Sequence, residues 1–105
     1  MPEIKANTGV ITQVNVFTVK PENQQRLIDL LIESANAVRH IPGWKSASIH
    51  RGIDGVTVVN YAQSENMEAQ ARVFQKLTEG GYLERSKLLG EAHPGLYEVV
   101  YTIEA

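Results

Sequence analysis

Ten residues near the start of the chain read VITQVNVFTV (Val10–Val19), a run so rich in β-branched side chains and so poor in helix formers that it can only be a strand. One of its faces carries Val10, Thr12, Val14, Val16 and Thr18. The other carries Ile11, Gln13, Asn15, Phe17 and Val19. Both sets are too apolar to face water, so a sheet built on this strand needs a cover on each side.

The rest of the chain supplies one of the two covers. Lys20-Pro21-Glu22-Asn23 breaks the strand and places proline at the first turn of a helix, where its missing N–H costs nothing. Leu27, Leu30, Leu31, Ala35 and Val38 then recur at three and four, with Arg26, Asp29, Glu33 and Asn36 on the opposite face. The helix is expected to stop near Arg39–His40, before Pro42-Gly43. Trp44–Arg51 and Val56–Gln63 read as two antiparallel strands joined through Gly52-Ile53-Asp54-Gly55. Asn66 to Ala69 can open a second helix whose apolar face is Met67, Ala71, Phe74 and Leu77, interrupted at Gly80-Gly81. A short helix is expected over Tyr82–Leu89. After Pro94-Gly95, the alternation of LYEVVYTI (Leu96–Ile103) predicts a fourth strand.

The order β-α-β-β-α-β is the ferredoxin-like split βαβ arrangement, an α+β fold with an antiparallel sheet and helices on one face. The uncovered face calls for a homodimer packed sheet on sheet, a dimeric α+β barrel. At 105 residues the expectation is one domain over residues 1–105, and no internal repeat competes with it.

Charge and composition exclude several function classes. Ten Lys and Arg against twelve Asp and Glu leave a formal charge of −2, without the basic excess that nucleic-acid binding requires. With no cysteine, disulfides, thiolate catalysis and Cys-ligated metals are impossible. No apolar run approaches the ~20 residues of a membrane span, and MPEIKANTG lacks a signal-peptide core, so no membrane partner and a cytoplasmic location are expected. His40, His50 and His93 lack any metal-ligand spacing, so no metal site is expected.

Two polar residues stand out within strands. Asn60 interrupts a β-branched run, which costs strand propensity, and an amide buried there has to find partners in the sheet or in a ligand. His50 has small neighbours at Ser46 and Ser48 that leave space above the sheet. The two share a face only if the hairpin closes through an odd loop such as Ile53-Asp54-Gly55, because a slip of one residue sends them to opposite faces. Trp44 can line a pocket or close an interface edge. Tyr61 faces opposite to Asn60, and the expectation puts it toward the helices.

Ile41-Pro42-Gly43-Trp44, Ser46-Ala47, His50, Asp54-Gly55 and above all VVNYAQS (Val58–Ser64) resemble the antibiotic biosynthesis monooxygenase family, and within it the enzymes that oxidise aromatic polyketide intermediates to quinones. The resemblance spans most of residues 10–103. It implies a small aromatic substrate and dioxygen as reactants and no cofactor, because in these relatives the deprotonated substrate itself donates electrons to dioxygen. It further implies that Asn60 polarises a substrate or peroxy oxygen, that His50 lines the same pocket and relays a proton, and that Arg85 contacts an anion. Asn15 matches a first-strand asparagine of haem-degrading members of the superfamily, but no histidine lies in residues 82–90 to hold a haem.

Where the family has a tryptophan after VVNYAQ this chain has Ser64, and where a tyrosine follows six residues on it has Gln70. The resemblance places both at the pocket mouth, with Trp44 or Phe74 as neighbours able to fill the space. A binding module that has lost the chemistry, or an isomerase of a small metabolite, are the alternatives.

Overall fold

The computed structural model of the chain describes residues 3–105. The β-branched run forms β1 (Ile11–Val19), and Pro21–Asn23 make a 3₁₀ turn that leads into α1 (Gln24–Val38). Then come β2 (Trp44–Arg51), β3 (Thr57–Ser64), α2 (Met67–Glu79), α3 (Tyr82–Lys87) and β4 (Gly90–Tyr97). The four strands make one antiparallel sheet in the order β2-β3-β1-β4, which puts β1 in the interior and accounts for its apolar character on both faces. The fold is the expected α+β, ferredoxin-like one.

The core lies between α1 and one sheet face. Phe17, Val19 and Val58 from the sheet meet Leu27, Ile28, Leu30 and Leu31 from α1, with Ile49, Tyr82 and Leu89 packed against them. Each such side chain, fully buried, contributes about 1.5–3 kcal/mol to the fold. On α2 the buried stripe is Ala69, Gln70 and Val73, rotated from the expected one. Met67, Ala71 and Phe74 are exposed and only Leu77 of that set is half-buried. Asn66 caps α2 as expected, its Oδ1 accepting from Ala69 N at 2.9 Å.

Register decides the faces. Asn15 pairs with Asn60 on one side and with Pro94 on the other, and Asn60 pairs with Ile49. Residues paired across strands share a face, so Gln13, Asn15, Phe17, Ile49, Asn60, Ala92 and Pro94 look toward the helices. Thr12, Val14, Val16, Val59, Tyr61, Gln63 and His50 look the other way. Tyr61 is therefore on the open face, contrary to the expectation that put it toward the helices. At one end of that face Thr12 and Gln63 are buried and joined by a 3.1 Å bond from Gln63 Nε2 to Thr12 Oγ1.

The hairpin between β2 and β3 closes with an even loop. Gly52 N donates to Thr57 O at 2.8 Å, leaving the four residues Ile53 to Val56 as the loop. Gly55 takes a positive φ, +81°, within that loop. Asp54 braces the turn, accepting from Val56 N at 2.9 Å and from the Thr57 hydroxyl at 2.7 Å, and these bonds hold its carboxyl below the usual carboxylate range. Buried Gln24 ties the hairpin base to α1 by donating to Gly52 O at 3.0 Å and Thr57 O at 3.1 Å.

The largest departure is the last strand. β4 ends at Tyr97, and LYEVVYTI runs on beyond the sheet as a tail with Val100, Tyr101 and Ile103 exposed. The tail is held to the N-terminal segment by Asn7 N donating to Val99 O at 3.0 Å.

Candidate active site

Between the helical face of the sheet and the helices lies a cavity of about 270 Å³. Its floor is the sheet, which presents Gln13, Asn15, Phe17 and Asn60 from the two central strands and Ala92 and Pro94 from β4. Its walls are Leu30, Leu31 and Ser34 of α1, Phe74 and Leu77 of α2, and Tyr82, Leu83, Ser86 and Lys87 of α3. An apolar chamber with a few convergent polar groups is the usual form of a small-molecule site.

A glycine pair sets the α3 wall. Gly80 ends α2, and Gly81 adopts φ +77°, a left-handed conformation that reverses the chain at little steric cost, so that α3 starts at Tyr82. A side chain at Gly80 would come within 2.8 Å of the Tyr82 ring. The bare backbone there is what lets that ring pack beside the cavity.

The floor carries two asparagines. Asn15 and Asn60 stand opposite each other on neighbouring strands. Asn15 Oδ1 is shut off from solvent and has no hydrogen-bond partner, the only such buried side-chain atom among the described residues. An unpaired buried acceptor costs about 1–3 kcal/mol, and a donor on a ligand would relieve it.

The structure brings Asn15, Asn60 and Phe74 together at this cavity and leaves the other expected residues elsewhere. His50 lies on the opposite sheet face, exposed and 3.0 Å from Ser48 Oγ through its Nε2, because the even loop pairs it with Val59 and not with Asn60. Arg85 stands on the outer side of α3. Its Nη1 is 2.8 Å from Glu33 Oε2 and its guanidinium lies 5.5 Å from the centre of the Tyr82 ring. Trp44 lines a separate groove with Ile32, Arg39 and Ile49.

Ser64 and Gln70 are both buried and lie outside the cavity lining, Ser64 Oγ contacting Gln70 Oε1 at 3.5 Å. They do not widen the mouth, because the end of β3 is sealed by α2. Gln13, Ser34, Tyr82, Ser86 and Lys87 had escaped sequence reasoning. Only Gln13, sharing a strand face with Asn15, carried a signal that could have found it. Among the described residues no three His, Asp or Glu side chains gather as metal ligands, and no helix is long and apolar enough to cross a membrane.

A sheet floor, an apolar chamber under short helices and a pair of facing asparagines define a ferredoxin-like domain built around a small-molecule cavity, and solved structures share this fold. One is the cofactor-independent oxygenase SnoaB of Streptomyces nogalater, with a TM-score of 0.79 and 21% identity over 92% of this chain and 99% of that one. Another is the monooxygenase of the ActVA-Orf6 gene of Streptomyces coelicolor, in complex with nanaomycin D, with a TM-score of 0.77 and 28% identity over 90% and 91%. In sequence, the chain is a homologue of the tetracenomycin-F1 monooxygenase of Streptomyces glaucescens, 45% identical over 64 residues. That match takes in 60% of this chain and 57% of the length of that enzyme. These relatives support the resemblance to the antibiotic biosynthesis monooxygenases. No protein-family model matches the chain.

Proposed function

We propose that the chain is a cofactor-independent monooxygenase that oxidises a small aromatic or quinol-like substrate with dioxygen in the cavity between the sheet and the helices. The observation that carries this reading is the unpartnered Asn15 Oδ1 beside Asn60 on the floor of an apolar chamber. Asn15 Oδ1 accepts from a phenolic hydroxyl, and the Asn60 amide donates to the oxygen on which negative charge develops, a role of the kind that oxyanion donors fill. The apolar walls hold the ring against this floor and keep bulk water from it. Conversion of a phenol to a quinone consumes one dioxygen and releases one water. The substrate supplies the electrons, and the protein supplies position and polarity. At about 270 Å³ the chamber is slightly smaller than the roughly 300–1,000 Å³ of common ligand pockets, which suits one or two fused rings inside with the remainder in the mouth.

The likeness to the tetracenomycin-F1 monooxygenase and to the two oxygenase structures supports this activity. The test is oxygen uptake by the purified protein with a panel of naphthols and anthrones. Enzyme-dependent uptake with quinone formation is expected, and none across a panel whose members bind would overturn it. A second reading, a binding module without chemistry, is favoured by the absence of His50 and Arg85 from the cavity lining, and binding without uptake is its signature.

The working form in this reading is a cytoplasmic homodimer. The open sheet face exposes Val16 and leaves Val14, Val59 and Tyr61 only half-buried, while the strand-patterned tail has Val100, Tyr101 and Ile103 in solvent. A second copy covers both.

A further inference from the structure

Charge is distributed one-sidedly around the cavity. Although the chain has twelve Asp and Glu, none of the described lining residues is a carboxylate, and Lys87 is the one cation among them. Lys87 is the last residue of α3, and its side chain is 69% exposed while still lining the cavity, so the ammonium stands at the mouth. Its contact with Glu84 Oε1, at 3.5 Å, is an exposed pair one helical turn apart and holds it only weakly. Arg85, two residues earlier, is engaged by Glu33 on the outer surface. The polar groups of the lining therefore differ in kind: neutral amides on the floor and an exposed positive charge on α3, with Phe17, Leu30, Leu31 and Leu77 completing the chamber.

We propose that Lys87 is a specificity-determining residue that pairs with a carboxylate on the aromatic substrate at the cavity mouth, while the ring hydroxyl at the far end meets Asn15 and Asn60. The proposal rests on the reading of this cavity as the substrate site. Lysine is suited to this place because its flexible stem lets a point charge follow a substituent that is itself partly in water. No lining residue is a carboxylate, and Glu84, outside the lining, is the acid in contact with Lys87, so a substrate carboxylate takes over that exposed contact.

The experiment compares naphthohydroquinone with the same molecule bearing a ring carboxylate, titrated anaerobically against the full chain by intrinsic fluorescence so that binding is read without turnover. Wild type is expected to bind the carboxylate probe roughly fivefold more tightly than the neutral one, the scale of a partly exposed ion pair. Lys87→Gln should abolish that preference by weakening the carboxylate probe far more than the neutral one, Lys87→Arg should keep most of it, and Arg85→Gln should keep all of it. A preference that survives in Lys87→Gln, or is lost in Arg85→Gln instead, overturns the proposal. Equal binding of both probes by wild type also overturns it, while leaving the cavity reading intact. If wild type binds neither probe at millimolar concentration, both fail together.

Discussion

Asn15 and Asn60 face each other across the β1–β3 ladder on the floor of the chamber, and Asn15 Oδ1 is its unpartnered acceptor. If Asn60 stabilises developing negative charge, Asn60→Ala should lower kcat/KM by about 2–4 kcal/mol, roughly thirty- to a thousandfold, with little change in melting temperature. Retained turnover with a collapsed melting temperature would show a structural amide instead. Asn60 could be picked out from the sequence because an amide amid β-branched residues contradicts its surroundings. His50 could not be placed, because its face depends on a single residue of loop length. Ser64 and Gln70 teach a related lesson: two departures from the family pattern six residues apart prove to be one buried contact. Ser64→Trp should therefore overpack the β3–α2 junction and destabilise the fold by about 1–3 kcal/mol in urea denaturation, without altering ligand affinity. Adding Gln70→Ala should recover part of the loss, since neighbours sharing a cavity do not act additively.

Among the elements, α3 has the most influence for its size, because six residues supply the wall that carries Tyr82 and Lys87. Gly81→Ala should cost about 1–2 kcal/mol through its left-handed backbone, read as a lower melting temperature. Gly80→Ala has an ordinary backbone but drives a methyl into the Tyr82 ring, so it should weaken probe binding more than stability. The helices and the first three strands were legible because periodicity and breakers agreed. β4 was not, because GEAHPGLY, with two glycines and a proline, has almost none of the composition of a strand. It pairs because β1 offers it a free ladder, and Pro94 is tolerated because β4 lies at the sheet edge, where no neighbour needs its N–H. The better pattern, LYEVVYTI, mostly runs past the sheet and finds no strand of its own chain to pair with.

For the whole molecule, the open sheet face and the tail should together bury on the order of 1,200–2,000 Å² or more between two copies. Light scattering at micromolar concentration should give the mass of a dimer, and a chain cut after Glu98 should dissociate more readily. A monomeric mass for the full chain would remove the dimer from the account. The apolar run on β1 already demanded covers for two faces, but no local pattern could show that the cover on the helical side is incomplete and encloses a cavity. That cavity lies on the side of the sheet away from the open face. Two copies joined through their open faces would carry their chambers on opposite outer sides, back to back across a doubled sheet. With a doubled sheet between them, filling one chamber should leave its twin unaltered: saturation curves should be hyperbolic, with a Hill coefficient of about 1, and a heterodimer with one disabled protomer should keep half the turnover.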